Sequence, residues 1–450
     1  MRLRLLPLAF LAAPLAAQQP VADRYRDVAN RIIDAAMADS SKAWTRLAAL
    51  VDYSGPRLSG SANLERGIDW MLAEMKQDGL ANVRGEPAMV PHWVRGRESI
   101  TMTQPREADV PMLGLGGSIG TPAAGITAEV LVVTSFDELT RRAAEAKGKI
   151  VLFDVPFTDY GATVRYRSTG AVAAAKVGAL ASLIRAVGPY GMRTPHTGGM
   201  QYDSAVTRIP AAAVAMEDAM MFHRMQDRGQ KVVLTLRMEA QTLPDAPSRN
   251  AMGELVGRDR PREIVAMGGH SDSWDVGLGA MDDAGGIVVA WEAINLLKRL
   301  GLTPRRTIRV VGWVNEENGG RGGAAYRDAH KDEPHSLLIE SDAGVFAPTG
   351  FGFTGSDSAR AIVRQIGALL DRIGAGTIGA SGGGADIGPL MGTGVPGMGL
   401  DTEGSRYFWY HHTPADTPDK LSPADMQKCV AAFAVMAYIV ADLPGLLPRK

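Results

Sequence analysis

The chain has 450 residues, of which 46% are hydrophobic and 22% charged, with a net charge of -1 and a single cysteine. That length supports a large core and more than one folded unit. The near-zero charge excludes a basic field for nucleic acid, and the lone Cys429 excludes an intramolecular disulfide and any thiolate metal site.

Arg2 and Arg4, the apolar run Leu5–Leu15 and the small pair Ala16-Ala17 form the pattern of an export signal over residues 1–17. The expectation is a protein secreted or held in the periplasm, with no membrane attachment once the leader is removed. The apolar run is too short to span a bilayer comfortably, and no other stretch is expected to do so.

Tyr25, Val28, Ile32 and Ala35 recur at helical spacing within Val21–Met37, and Leu64, Ile68, Leu72 and Met75 predict a second helix capped by Ser61. Between them Ser54–Gly60 reads as a loop. A strand is expected near Ser99–Met102. Composition then shifts at the glycine-rich bridge Gly114–Gly125, which predicts a first domain part over 21–118, an insertion over 119–245 and a second part over 246–450. Within the insertion, Val130–Val133, Ile150–Phe153 and Val232–Leu236 read as strands, Gly170–Val177 and Glu217–Gln226 as helices, and Ala179–Ile184 as an apolar run. No cluster there looks catalytic, so the unit is assigned to packing or to substrate gating. The polar, proline-bearing stretch Thr242–Ser248 returns the chain to the first domain.

After Asn250, strand and helix signals alternate, as in an α/β fold with a largely parallel sheet. Glu263–Met267, Thr307–Val314 and Ser336–Ile339 are the expected strands. Ile287, Trp291, Ile294 and Leu297 share one helical face ending at Gly301, and Ser422-Pro423 with Asp425 starts a last helix.

Metal-binding residue types gather just beyond these strands: His270–Asp283, Asn315-Glu316-Glu317, Glu340-Ser341-Asp342 and Tyr410-His411-His412-Thr413. The C-terminal edge of such a sheet is where ligands bind. Unpaired charges are costly to bury, so the clusters suit divalent cations better than a core. His270 and Asp342 would hold one ion, Glu317 and His412 another, and Asp282 would bridge both. Imidazole and carboxylate donors without thiolate favour zinc. Glu316, next to a ligand but free of the metal, is the expected general base. Asp272 is placed to orient the His270 imidazole. Each cluster alone has a plainer reading: Asp283 as a helix cap, Asp342 as a turn residue, Glu316-Glu317 as a solvated face. Only their recurrence in one domain makes a site. His411 either faces the substrate and steadies an oxyanion or packs, and Asp386 either supports the site or turns a loop. His92, His196, His223, His330 and His335 show no partnering pattern and read as structural.

Taken together, the His270–Asp283 motif, Glu316-Glu317, Glu340–Gly344 and Phe408–Asp416 resemble the co-catalytic zinc exopeptidase family of aminopeptidase and glutamate carboxypeptidase type. The resemblance spans Asn250–Asp416, and the insertion is similar, more weakly, to a protease-associated domain. It implies a three-layer, mostly parallel-sheet domain with that insertion. It also implies two zinc ions on His270, Asp282, Glu317, Asp342 and His412, with Glu316 as base, Asp272 as supporting carboxylate and a homodimer. Many relatives have tyrosine where this chain has His411. The expected activity is hydrolysis of dipeptides or short peptides. The alternatives are a broad-range zinc aminopeptidase, an N-terminal glutaminyl cyclase using one zinc, and a binding protein that kept the fold without the chemistry.

Overall fold

The computed structural model describes residues 20–38 and 41–449, so the expected leader lies outside the described residues. Strand β1 (Ala81–Val94) opens the main sheet. The chain then builds a second sheet from β2 (Glu98–Gln104), β3 (Ala108–Val110), β4 (Met112–Gly114), β5 (Ile126–Val133), β6 (Ile150–Phe153), β7 (Ala181–Arg185), β8 (Ala211–Val214) and β9 (Val233–Met238). It returns to the main sheet through β10 (Gln241–Leu255), β11 (Arg260–His270), β12 (Arg306–Trp313), β13 (His335–Glu340), β14 (Pro348–Thr354), β15 (Thr377–Gly379) and β16 (Gly397–Thr402).

The main sheet has the order β1-β10-β12-β11-β13-β16-β14-β15, and its centre, β12-β11-β13-β16, is parallel. The β12 strand is buried along its whole length, as a strand covered on both faces must be. One face packs on helices Val21–Ala38, Lys42–Ser54, Gly285–Arg299 and Pro423–Asp442 in one apolar core. The other face carries a smaller core that includes Trp313, Tyr326 and Leu338. The result is a three-layer α/β domain. Gly268 is required at the centre, because a Cβ there would lie 1.8 Å from the carbonyl oxygen of Val311 on the neighbouring strand.

Several local expectations differ from the fold. The border expected at 118/119 lies earlier, since Glu98–Gln104 pairs with β9 and so belongs to the second sheet. Thr242–Ser248 is strand, not connection. Pro244 and Pro247 fit there because this half of β10 pairs only with β1, and the pairing with β12 begins at Ala251. The helix expected from Gly170 begins ten residues sooner at Tyr160, where Asp159 accepts from the Ala162 amide. Helix Pro423–Asp442 is long and apolar enough to cross a membrane by length and composition, contrary to expectation, but 83% of its apolar window is buried in the fold.

A buried ionic network ties β12 to the outer layer. Arg309 donates from Nε to Glu254 at 2.7 Å and from Nη1 to Glu333 at 2.8 Å and to the Tyr326 hydroxyl at 3.0 Å. Arg309→Met would leave Glu254 buried and short of its partner, so a loss of about 3–5 kcal/mol is expected in urea unfolding.

At the rim of this network His330 lies 2.7 Å from Glu86 and 3.1 Å from Glu333. Burial opposes its protonation, but the bonds to Glu333 and Glu86 win and raise its pKa above 6.5. Its stabilisation is therefore complete below pH 6.5 and fades as pH rises through the raised value. For Glu333, burial is likewise outweighed by His330 and Arg309, which lower its pKa to about 2, so its stabilisation is present above pH 4.5 and lost as pH falls through about 2. The stability gap between wild type and His330→Gln should be widest between these limits and shrink at alkaline pH. A gap that stays constant with pH would contradict the assignment.

Candidate metal centre

Four parallel neighbours, β12, β11, β13 and β16, end at the same edge of the main sheet, and the loop after each carries one cluster of candidate ligands. From β11 the chain goes first to β12 on one side and later to β13 on the other, which opens the crevice at His270. The structure brings His270, Asp282, Glu317, Asp342 and His412 together there. His270 Nε2 lies 3.1 Å from Asp282 Oδ1 and 3.4 Å from Asp342 Oδ1. His412 Nε2 lies 3.3 Å from Asp282 Oδ2 and 3.0 Å from Glu317 Oε2. Each oxygen of Asp282 thus faces a different imidazole, and each imidazole has a second carboxylate beside it. His411 is also close, with Nε2 3.7 Å from Asp282 Oδ2 and its ring stacked on His412 at 3.5 Å.

The electrostatics call for cations. Asp282 Oδ2 and Glu317 Oε1 are buried without a hydrogen-bond donor. Burial, with added repulsion from the neighbouring carboxylates, pushes Glu316 up to about 9 and Glu317 up to about 7 despite the nearby imidazoles. Burial and then the charge of His412 hold His411 well below the ordinary histidine value. Convergent imidazole nitrogens and carboxylates with orphaned oxygens fit zinc, the metal that takes N and O donors without thiolate.

Backbone and side-chain donors hold the loops in place. Asp416 accepts from the amides of Ala280, Met281 and Asp282 at 2.7–3.2 Å and so fixes the segment carrying Asp282. Arg57 is fully buried and donates to the carbonyls of Ser271, Leu278 and Gly279 on the same segment. Asp283 caps the helix that follows, accepting from Gly286, and also accepts from the His270 amide. The carboxylate of Asp272 lies 3.8 Å from His270 Nδ1 and has a further job besides. His270 Nδ1 bonds to the Asp272 backbone carbonyl at 3.0 Å, while the carboxylate accepts from the amides of Glu316 and Glu317 at 3.1 and 3.3 Å. Two residues of separation let the Asp272 carbonyl fold back onto the ring, which frees its side chain for the neighbouring loop. Asp386 is buried beside Glu340, whose carboxylate accepts from the Asp386 and Ile387 amides, and both oxygens of Asp386 lack donors.

Residues 250–437 match peptidase family M28. Carboxypeptidase Q of Homo sapiens is 49% identical over 428 residues, covering 94% of this chain and 91% of that protein, and the Mus musculus protein is 49% identical over 430 residues. The chain belongs to peptidase family M28. It is a metallopeptidase. A solved M28 peptidase precursor from Shewanella amazonensis superposes with a TM-score of 0.91 at 34% identity, over 95% of this chain and 99% of that one. A zinc aminopeptidase from Bacillus subtilis shares the fold, with a TM-score of 0.66 at 20% identity over 88% and 93% of the two chains.

In this M28 peptidase the insertion reaches the centre, which the sequence reading did not foresee. Thr197 donates from its amide to the His412 carbonyl at 3.0 Å, and its own carbonyl lies 3.3 Å from His412 Nδ1. His196, read as structural, is fully buried beside the same histidine pair, and burial followed by the His412 charge lowers its pKa to about 3. Trp274 of the long motif inserts into the core of the second sheet, where a Cβ on Gly116 would lie 2.0 Å from its ring. Tyr160, Arg167, Tyr407, Phe408 and His411 join Glu316 and four of the candidate ligands, Asp282, Glu317, Asp342 and His412, around a cavity of about 310 Å³. Arg57, Asp416 and Thr197 act through backbone groups far away in sequence. The sole sequence signal among them was the place of Asp416 at the end of the Phe408–Asp416 motif.

Asp416→Ala would leave three buried amides without an acceptor. We expect a stability loss of about 3 kcal/mol or more in urea unfolding, together with reduced zinc content in elemental analysis. Full zinc content in a stable variant would contradict this role.

Proposed function

We propose that the centre binds two zinc ions and hydrolyses dipeptides or short peptides in an exported enzyme. The observation that supports this reading is the position of Asp282 between two separate imidazole–carboxylate pairs. His270 and Asp342 would hold one ion and Glu317 and His412 the other, with Asp282 shared. When bound, zinc supplies the Lewis acidity that polarises a peptide carbonyl and lowers the pKa of a water to about 7.

The chain's own residues supply the rest. Glu316 lines the cavity beside the ligands; with cations answering the neighbouring carboxylates whose repulsion adds to its raised pKa, its carboxylate would take the proton of the attacking water and return it to the leaving amine. Asp272, by accepting from both amides of the Glu316-Glu317 pair, keeps base and ligand in register. His411 lines the cavity and contacts the substrate. The carboxypeptidase name of relatives at 49% identity supports an exopeptidase, and the aromatic enclosure of the cavity favours short substrates. Export rests on the leader at residues 1–17.

Elemental analysis should give two zinc ions per chain, and chelation should abolish cleavage of free dipeptides until zinc is restored. One ion per chain would favour the cyclase alternative, and strong cleavage of aminoacyl-anilides the aminopeptidase one. Glu316→Gln should keep its zinc and lose activity by a factor of about 10²–10⁴. Retained activity in that variant would remove Glu316 as the base.

A further inference from the structure

We propose that Asn315 is a positioning residue that holds Glu316 in place, by clamping the loop that carries it and by tying that loop through Ser59 to Asp272. The proposal rests on the reading of Glu316 as the general base. Residues 315–320 carry Glu316 and Glu317 away from β12 and end in Gly319-Gly320, which have no side chains to pack. A catalytic group displaced by about 1 Å loses about 100-fold in rate, so a loop of this composition needs a tie.

Asn315 is fully buried, and its backbone lies at φ +68°, a left-handed conformation that asparagine adopts more readily than most residues. Its carbonyl accepts from the Gly320 amide, and its Oδ1 accepts from the Arg321 amide at 3.2 Å. Two bonds therefore span the loop from its first residue to its end. Nδ2 donates to Asn318 Oδ1 at 2.5 Å within the loop and to Ser59 Oγ at 3.1 Å outside it. The loop closes so tightly on this side chain that a Cβ on Gly319 would lie 2.1 Å from Asn315 Oδ1.

Ser59 passes the constraint on. It is buried, and its hydroxyl donates to Asp272 Oδ2 at 3.3 Å. The Asp272 carboxylate in turn accepts from the Glu316 and Glu317 amides. Asn315, Ser59, Asp272 and Glu316 thus form a closed ring of contacts around the base, and a closed ring resists a shift that one bond alone would allow. The ring also fixes which atoms can take part. Ser59 gives its one hydrogen to Asp272, so toward residue 315 it only accepts. An aspartate there tolerates the same backbone and keeps the acceptor for Arg321, but has no hydrogen to give Ser59 or Asn318.

The rival roles for Asn315 are to serve the ligand Glu317 or the fold alone. They separate in a double-mutant cycle on the zinc-loaded full chain. Wild type, Asn315→Gly, Asn315→Asp and Ser59→Ala are compared, each with Glu316 and with Glu316→Gln. The substrate is alanyl-leucine, or leucine p-nitroanilide if wild type cleaves only that, and zinc content and thermal midpoint are read alongside. Asn315→Gly keeps the backbone conformation and removes the clamp, so kcat should fall by about 10- to 100-fold with KM within about twofold and zinc unchanged. Asn315→Asp should fall similarly, and Ser59→Ala by about 5-fold, the size of one hydrogen bond. With Glu316→Gln, the same substitutions should change the residual rate by less than about twofold, because the group they position is gone. If that residual rate is too low to read, the kcat and KM values with the zinc count decide. If Asn315→Gly fails to fold, Asn315→Asp and Ser59→Ala carry the test. Equal losses in both backgrounds overturn the proposal, as does zinc lost in step with activity, or a lowered thermal midpoint with kcat unchanged. Wild-type activity in Glu316→Gln alone ends the base reading and the proposal with it, a result distinct from any of these.

Discussion

Too many carboxylates are buried at one sheet edge for the protein to neutralise by itself, and the architecture around them answers that constraint. Glu340 at the end of β13, and Asp272, Asp282, Asp283, Asp386 and Asp416 in the connections that follow β11, β15 and β16, are all buried. Burial pushes Asp416 up to about 7 and Asp386 well above the usual range, although backbone amides donate to Asp416. Such a cluster persists only where every negative charge has an assigned counterpart: an imidazole, a guanidinium, a row of amides, or a divalent cation.

The assignment is layered. Three of the carboxylates, Asp272, Asp283 and Asp416, are satisfied mainly by backbone N–H groups, which lock the loops. Those that converge on the crevice, Asp282, Glu317 and Asp342, are left with oxygens turned toward one another and toward His270 and His412. Locking the outer ring makes the inner ring rigid, and a rigid donor set binds metal without first having to be ordered. Arg57 serves the same end from the opposite side, because its donors pin three carbonyls of the segment that presents Asp282.

The sequence made the inner ring legible because its chemistry is local. Histidine and carboxylate pairs follow aliphatic runs, and strand ends of a parallel sheet converge on one edge. The outer ring was far less legible. Arg57 lies in a turn-rich loop more than two hundred residues from the carbonyls it binds, and nothing in Ser54–Gly60 indicates such a role. Asp272 was assigned to the imidazole by its spacing; its carboxylate lies 3.8 Å from Nδ1, while the hydrogen bond to the ring comes from its own backbone carbonyl and the side chain also holds the neighbouring loop. Strands β1 and β10 escaped notice because prolines and polar residues populate a two-stranded arm that has no third strand to satisfy. The insertion looked inert for a related reason. Its contributions, Tyr160, Arg167 and Thr197, are single residues dispersed over a helix and a loop, and only folding gathers them.

The paired contact between Thr197 and His412, one bond to the His412 carbonyl and one to its ring, has a mechanical consequence. Two bonds between the same pair of residues resist twisting as well as separation, so the insertion and the loop bearing His412 move as one piece. A tilt of the insertion by a fraction of an ångström would be transmitted to an imidazole at the heart of the crevice. The insertion is therefore not a detachable lid. Grafting a foreign module in its place would have to reproduce the seat at residues 196–198, and an additive that wedges beneath this seat would disable the enzyme without entering the crevice at all.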